Sequence, residues 1–151
     1  MSSEIDAFRH HHDEIRGELD RQVGRILGGS DEGLVRLRDY LFDELLPHAR
    51  GEERHLYPTV APLLCREGTA MATMTMDHEA IERLVDRYAN LLADRPRNRV
   101  EIERTLAALH AIVELHLAKE ERVLLPALER HASASELRSI LAGVEEPSVR
   151  D

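Results

Sequence analysis

Four histidines interrupt otherwise apolar helical stripes in this chain: His12, His48, His78 and His116. Imidazole is the commonest protein ligand for transition metals, and a buried polar group left unpartnered costs on the order of 1–3 kcal/mol. A single inward histidine is usually satisfied by a backbone carbonyl. Four at one depth point to a metal site, and the depth can be counted. His12 lies 16 residues before Gly28 and His48 lies 17 after Asp31; His78 lies 16 before Asp94 and His116 lies 18 after Asn98. In antiparallel helices each pair is then level to within about one turn, at roughly 1.5 Å of rise per residue.

Carboxylates accompany the imidazoles. His48-Ala-Arg-Gly-Glu52 and His116-Leu-Ala-Lys-Glu120 are both H-x-x-x-E, which stacks ring and carboxylate on one helical face. One such motif is ordinary for a solvated pair, but here both lie inside a longer repeated phrase. HARGEERHLYP (His48 to Pro58) matches HLAKEERVLLP (His116 to Pro126), and HDEIRGELDR (His12 to Arg21) matches HEAIERLVDR (His78 to Arg87), at offsets of 68 and 66 residues. Two helical hairpins therefore repeat with their ligands in register, which predicts a pseudo-twofold site for two ions bridged by two carboxylates. The mixed imidazole and carboxylate set suits iron or manganese and tolerates zinc. A ferritin-like centre would need E-x-x-H on two helices. Only Glu52-x-x-His55 fits, and the repeat partner of His55 is Val123. His10, His11, His55, His110 and His131 fall off the stripes or near helix ends and read as solvated.

The elements that must position these residues follow from helical periodicity. One stripe runs from Ile5 through Phe8, Ile15, Leu19 and Val23 to Ile26, stopping at Gly28-Gly29-Ser30. A second runs from Leu34 to Pro58, with a bend expected before His48 because Pro47 lies inside it. A third runs from Met71 to Leu92 and is closed by an Asp94-Arg95-Pro96-Arg97 turn. The fourth opens on an Asn98-x-x-Glu101 capping box and runs to Pro126. The pattern predicts an all-α, up-down-up-down four-helix bundle built from two repeated helical hairpins. The bundle occupies about residues 5–130 of a single domain spanning 1–151. A brief helical turn is expected around Pro62-Leu63-Leu64. A short C-terminal helix, over about 134–143, begins at Ser133-x-x-Glu136.

Composition agrees with a bundle and excludes several functions. Apolar residues are 42% and aromatics only 3%, which favours helix over a sheet sandwich. A net charge of −9 with no basic block argues against nucleic-acid binding. No run approaches the length of a membrane span, and the start MSSEIDAFRHHHDE has no apolar signal core, so neither export nor membrane insertion is expected. The single Cys65 cannot pair internally and fits a reducing cytoplasm.

On the motif set H…HxxxE…H…HxxxE, with its EE-x-x-x-x-P endings, the chain from about Ile5 to Arg130 resembles the hemerythrin-like (HHE cation-binding) family. The resemblance implies a four-helix bundle around two iron ions joined by an oxo or hydroxo bridge. Carried over by motif, the ligands would be His12, His48, Glu52, His78, His116 and Glu120, with the two glutamates bridging. There are departures from the oxygen carriers. Those have a second histidine four residues after the one on the third helix, where this chain has Glu82, a candidate seventh ligand or an outward-facing charge. They also end on an aspartate five residues after its histidine, where this chain has Glu120 at four. Tyr57 stands where the second repeat has Leu125, so one ion alone would have a phenol nearby, as ligand, as hydrogen-bond donor or as cover.

With fewer imidazoles than the carriers, the centre is expected to rest diferric and to react with small oxidants. The leading expectation is catalase-like turnover of hydrogen peroxide in the cytoplasm, relevant to oxidative stress, with nitric oxide and oxygen as further ligands. The alternative is an oxygen- or iron-binding sensor or storage module without turnover, although no stretch outside the bundle offers an output domain. The oligomeric state is not legible in the sequence.

Overall fold

The computed structural model describes residues 3–64 and 68–145; Cys65 lies outside them. Every element among the described residues is helical. Helix α1 is Ser3–Leu27, α2 is the helical run over 34–64, α3 is Gly68–Leu91, α4 is the run over 95–131 and α5 is Ala134–Glu145. Helix α1 ends at the glycine pair expected to stop it: Gly29 takes φ 103°, a left-handed conformation, while Ser30 N–H returns to Arg25 O at 3.1 Å.

Prolines do not terminate the second and fourth helices as the sequence suggested. The chain instead widens into a π turn ahead of each one. The turns Leu41–Leu45, Glu52–Leu56 and Glu120–Leu124 each end two residues before a proline, at Pro47, Pro58 and Pro126. A proline has no N–H for the carbonyl four residues back, and its ring clashes with that carbonyl. An i→i+5 turn just upstream moves the carbonyl aside, so the helix continues. Helix α2 thus runs through Pro58 to Val60 and finishes in a 3₁₀ turn over Ala61–Leu64, where the short turn was expected. Likewise α4 passes Pro126 and stops at His131.

The start of α4 also differs. Asp94, not Asn98, is the N-cap; its side chain accepts from Arg97 N–H, and Pro96 occupies the first turn, where its fixed φ suits a helix. Asn98 instead donates its amide to Leu91 O at 2.9 Å, tying α4 to the end of α3. The Ser133/Glu136 capping box of α5 forms as expected, with Ser133 N–H to Glu136 Oε2 at 2.7 Å and Glu136 N–H to Ser133 Oγ at 3.3 Å. The helix continues to Glu145, slightly beyond expectation.

Two apolar clusters form the core. One gathers Ile15, Leu19, Leu37, Leu41, Val85, Leu106 and Val113, with Tyr88 donating to Leu34 O at 2.5 Å. The other gathers Ile5, Phe8, Leu56, Leu124 and Leu128 under Leu137, Leu141 and Val144 of α5. Helix α5 sits so close to α2 that Gly51 has no room for a Cβ: one placed there would lie 2.9 Å from Val144 Cα. Between the two clusters lies a layer of buried polar groups.

Candidate metal centre

That layer contains the six residues assigned from the repeated motifs. His12, His48, Glu52, His78, His116 and Glu120 are all buried, Glu52 and Glu120 completely. Each H-x-x-x-E closes within its own helix: His48 Nε2 lies 2.6 Å from Glu52 Oε1, and His116 Nε2 lies 2.8 Å from Glu120 Oε1. The glutamates then reach across the bundle. Glu52 Oε2 is 3.1 Å from His78 Nε2, and Glu120 Oε2 is 3.2 Å from His12 Nε2. The result is two ligand sets, His12–His48–Glu52–Glu120 and Glu52–His78–His116–Glu120. In each, the donor atoms lie within 4.8 Å of one another, and both sets share the two carboxylates.

A cation is the partner these groups lack. Both His12 nitrogens, His48 Nε2, both Glu52 oxygens and Glu120 Oε2 are buried without a hydrogen bond. Left so, each would cost on the order of 1–3 kcal/mol. Convergent, desolvated nitrogen and carboxylate oxygen donors without partners are what a divalent or trivalent ion satisfies.

The metal-free cluster is held by ion pairing between its own imidazoles and carboxylates. Burial disfavours an imidazolium at His12, yet Glu120, Glu121 and Glu52 outweigh it and raise that pKa well above the usual value. At His116 burial is likewise overcome by Asp77, Glu120 and Glu52, and the pKa is pushed up to about 11. Burial would raise the Glu52 pKa, but His48, His116 and His12 hold it well below the carboxylate range.

Three carboxylates outside the H-x-x-x-E pairs support the imidazoles from behind. His78 Nδ1 meets Glu53 Oε1 at 2.8 Å, and Thr75 Oγ1 donates to Glu53 Oε2 at 3.1 Å. His116 Nδ1 meets Asp77 Oδ2 at 3.0 Å, with Lys119 on the same oxygen. His12 Nδ1 lies 3.4 Å from Glu121 Oε1, and Arg16 grips both Glu121 oxygens at 2.9 and 2.8 Å. Glu53 and Asp77, hydrogen-bonded to Nδ1, fix the tautomer that leaves Nε2 free to ligate, while Glu121 acts on His12 through its charge. The sequence did carry a signal for two of them: both repeats read E-E, and each second glutamate supports a histidine of the other hairpin. The two later π turns make this possible, since each begins at the first of the two glutamates and lets neighbouring residues face different partners. His48 is the exception. It has no carboxylate on Nδ1 among the described residues; its ring instead lies 4.8 Å from that of His11 and 5.6 Å from that of Phe8.

Tyr57 and Glu82 part company. The Tyr57 hydroxyl is buried in the second set, donating to Glu120 Oε1 at 2.6 Å and lying 3.3 and 3.2 Å from His78 and His116 Nε2. Its ring stacks on His78. Burial, with the charges of Glu52 and Glu120, drives its pKa up, so the phenol stays protonated and donates. Glu82 is not brought into the cluster. It is half exposed and accepts from Arg50 Nη2 at 3.2 Å.

The remaining histidines are peripheral. His10 is exposed beside Glu14, and His55 and His131 are exposed. His110 pairs with Asp20 at 2.6 Å at the surface. His11, expected to be solvated, is instead half-buried between His48 and the end of α5, where Glu145 lies 3.9 Å away. Burial and the neighbouring His48 lower its pKa.

The family described as the hemerythrin HHE cation-binding domain matches residues 3–128 and, in a second overlapping match, residues 69–145. The chain belongs to this family. The second match starts near the beginning of the second hairpin, as an internal repeat would produce. No curated protein and no solved structure matches the chain.

Proposed function

We propose that the chain is a single hemerythrin-like domain, spanning 1–151, that holds two iron ions and disproportionates hydrogen peroxide in the cytoplasm. His12 and His48 would hold one ion and His78 and His116 the other, and Glu52 and Glu120 would be shared between them. The observation that carries this reading is the pair of donor sets sharing both buried carboxylates. The up-down-up-down order belongs to the same reading and is supported by the contacts at either level: Arg99 at the start of α4 reaches Asp31 at 2.5 Å, while Glu121 further along meets Arg16 in α1. No helix among the described residues is long and apolar enough to cross a membrane. The net charge of −9 disfavours nucleic acid as a partner.

A pair of irons supplies Lewis acidity and the redox change needed to reduce one peroxide to water and oxidise a second to dioxygen. Everything else falls to the chain. Tyr57 sits on the second position only and presents a phenolic donor beside Glu120, where it can hydrogen-bond a small oxidant. Glu53, Asp77 and Glu121 keep the imidazoles oriented. The two apolar clusters keep bulk water from the layer between them. Nitric oxide is a second small ligand that such a site accommodates.

Elemental analysis after iron-supplemented expression should give about two irons per chain, and Glu52→Ala or Glu120→Ala should lose both together. The loaded protein should evolve oxygen from peroxide, and Tyr57→Phe should slow that evolution at unchanged iron content. A single zinc with no iron would refute the centre. A reversible oxygen complex without oxygen evolution would replace turnover by a carrier, sensor or storage role.

A further inference from the structure

We propose that His11, His48 and Glu145 form an outer site for a divalent metal ion, through which the His12/His48 position is loaded; the inference rests on the two-ion centre proposed above. The three residues come from α1, α2 and α5, and their ligand atoms lie within 4.8 Å of one another. Two imidazoles and one carboxylate, with the remaining positions left to water, are a donor set suited to ferrous iron. His48 belongs both to this group and to the buried set His12–His48–Glu52–Glu120, so the two sites meet at one ligand.

The outer group has what the buried one lacks, contact with solvent. His12, Glu52 and Glu120 are completely buried, whereas the side chains of His11 and Glu145 are 25% and 47% exposed. Both border an open cleft of about 560 Å³ between α1 and α5. Its charged lining is Glu4, Glu14 and Glu145 against Arg138, three carboxylates to one guanidinium, which attracts a cation. Among the described residues, His11 Nδ1 lies 3.5 Å from Glu14 and 3.9 Å from Glu145, distances of ion pairing without a hydrogen bond. Neither donor is committed elsewhere.

Helix α5 completes the group. Its close seat on α2, where Val144 lies against Gly51, sets Glu145 beside His11. The ring of His11 in turn lies 4.8 Å from that of His48. Loading is ligand exchange in which no electron moves. His11, His48 and Glu145 displace waters from a hydrated ion, and His12, Glu52 and Glu120 then displace His11 and Glu145. The His78/His116 position has a separate opening between α2 and α3, which His78 borders.

Stopped-flow uptake of cobalt(II) by the full chain, stripped of metal with a chelator, tests the assignment through the cobalt absorption. The native chain should take up two ions in two phases, and the rate of one phase should saturate with cobalt concentration, as prior binding at an outer site requires. Combining His11→Gln with Glu145→Gln should slow that phase at least about tenfold below saturation, since losing even a supporting group typically weakens a metal site about 10–100-fold. The other phase, the final content of two ions, their affinities and the melting temperature should not change, which separates loading from mere packing against His48. Glu14→Gln removes the same charge from the cleft as Glu145→Gln but none of the three ligands, and should slow that phase far less. Native rates in the double variant would overturn the inference and leave the two-ion centre standing. Equal slowing in Glu14→Gln and Glu145→Gln would overturn it in favour of electrostatic attraction alone. Failure of the native chain to hold two ions would instead refute the centre, and this inference with it.

Discussion

The two metal positions should differ in affinity, because their imidazoles are not equally supported. At the position of His78 and His116 both Nδ1 atoms meet carboxylates, Glu53 and Asp77. At the position of His12 and His48 only His12 has one, Glu121, and Arg16 draws on both of its oxygens. Removing a supporting carboxylate typically lowers metal affinity about 10–100-fold. One missing support should therefore leave the His12/His48 position about 10–100-fold weaker, or about 1.4–2.7 kcal/mol. Glu121→Gln keeps the size but removes the charge and one of the two oxygens that accept from Arg16, and should weaken that position by a similar factor again. Glu53→Gln should narrow the gap by weakening the other. Competition against a chelator, followed by metal content at each step, should show two-stage release in the native chain. Stages should separate further in Glu121→Gln and converge in Glu53→Gln. Simultaneous loss of both ions in all three proteins would refute the argument, since it would make the shared Glu52 and Glu120 the whole of the affinity.

Metal uptake near pH 7 should release about two protons per chain, because His12 and His116 are protonated in the metal-free cluster and ligation needs neutral nitrogen; calorimetry in buffers of different ionisation enthalpy would count them. The metal-free protein should itself be pH-sensitive. The raised pKa of His116 contributes stability that is fully present below about 6.5 and lost as pH rises toward about 11, while the lowered pKa of Glu52 contributes stability lost in acid. Melting temperatures of the metal-free chain should therefore fall on both sides of a maximum at mildly acidic pH, and a profile rising steadily to pH 9 would contradict the assignment. Gly51→Ala should drive α5 off its seat, since the new methyl meets the Val144 backbone, at a cost of about 1–3 kcal/mol; unchanged thermal stability would show that α5 can shift without penalty.

Much of the candidate site was legible because helical periodicity is local. A residue's phase on its stripe and its distance from a turn fix whether it faces inward and at what depth, so His12, His48, His78, His116, Glu52 and Glu120 could be grouped without coordinates. The internal repeat showed which of the H-x-x-x-E pairs belong together, and capping chemistry placed α5. What lies between helices was not legible. Which carboxylate meets the outer nitrogen of each imidazole depends on how neighbouring helices are rotated, so Glu53 on His78, Glu121 on His12 and Asp77 on His116 appeared only in three dimensions. Glu82 shows the same limit from the other side. One helical turn beyond His78 it could have faced in or out, and its contact with Arg50 on α2 takes it out. The prolines were misread as ends because their effect on hydrogen bonding is local, whereas the remedy is not. The packed bundle keeps the helix going and starts two of the π turns upstream, at Glu52 and Glu120, where each lets a pair of adjacent glutamates serve different histidines.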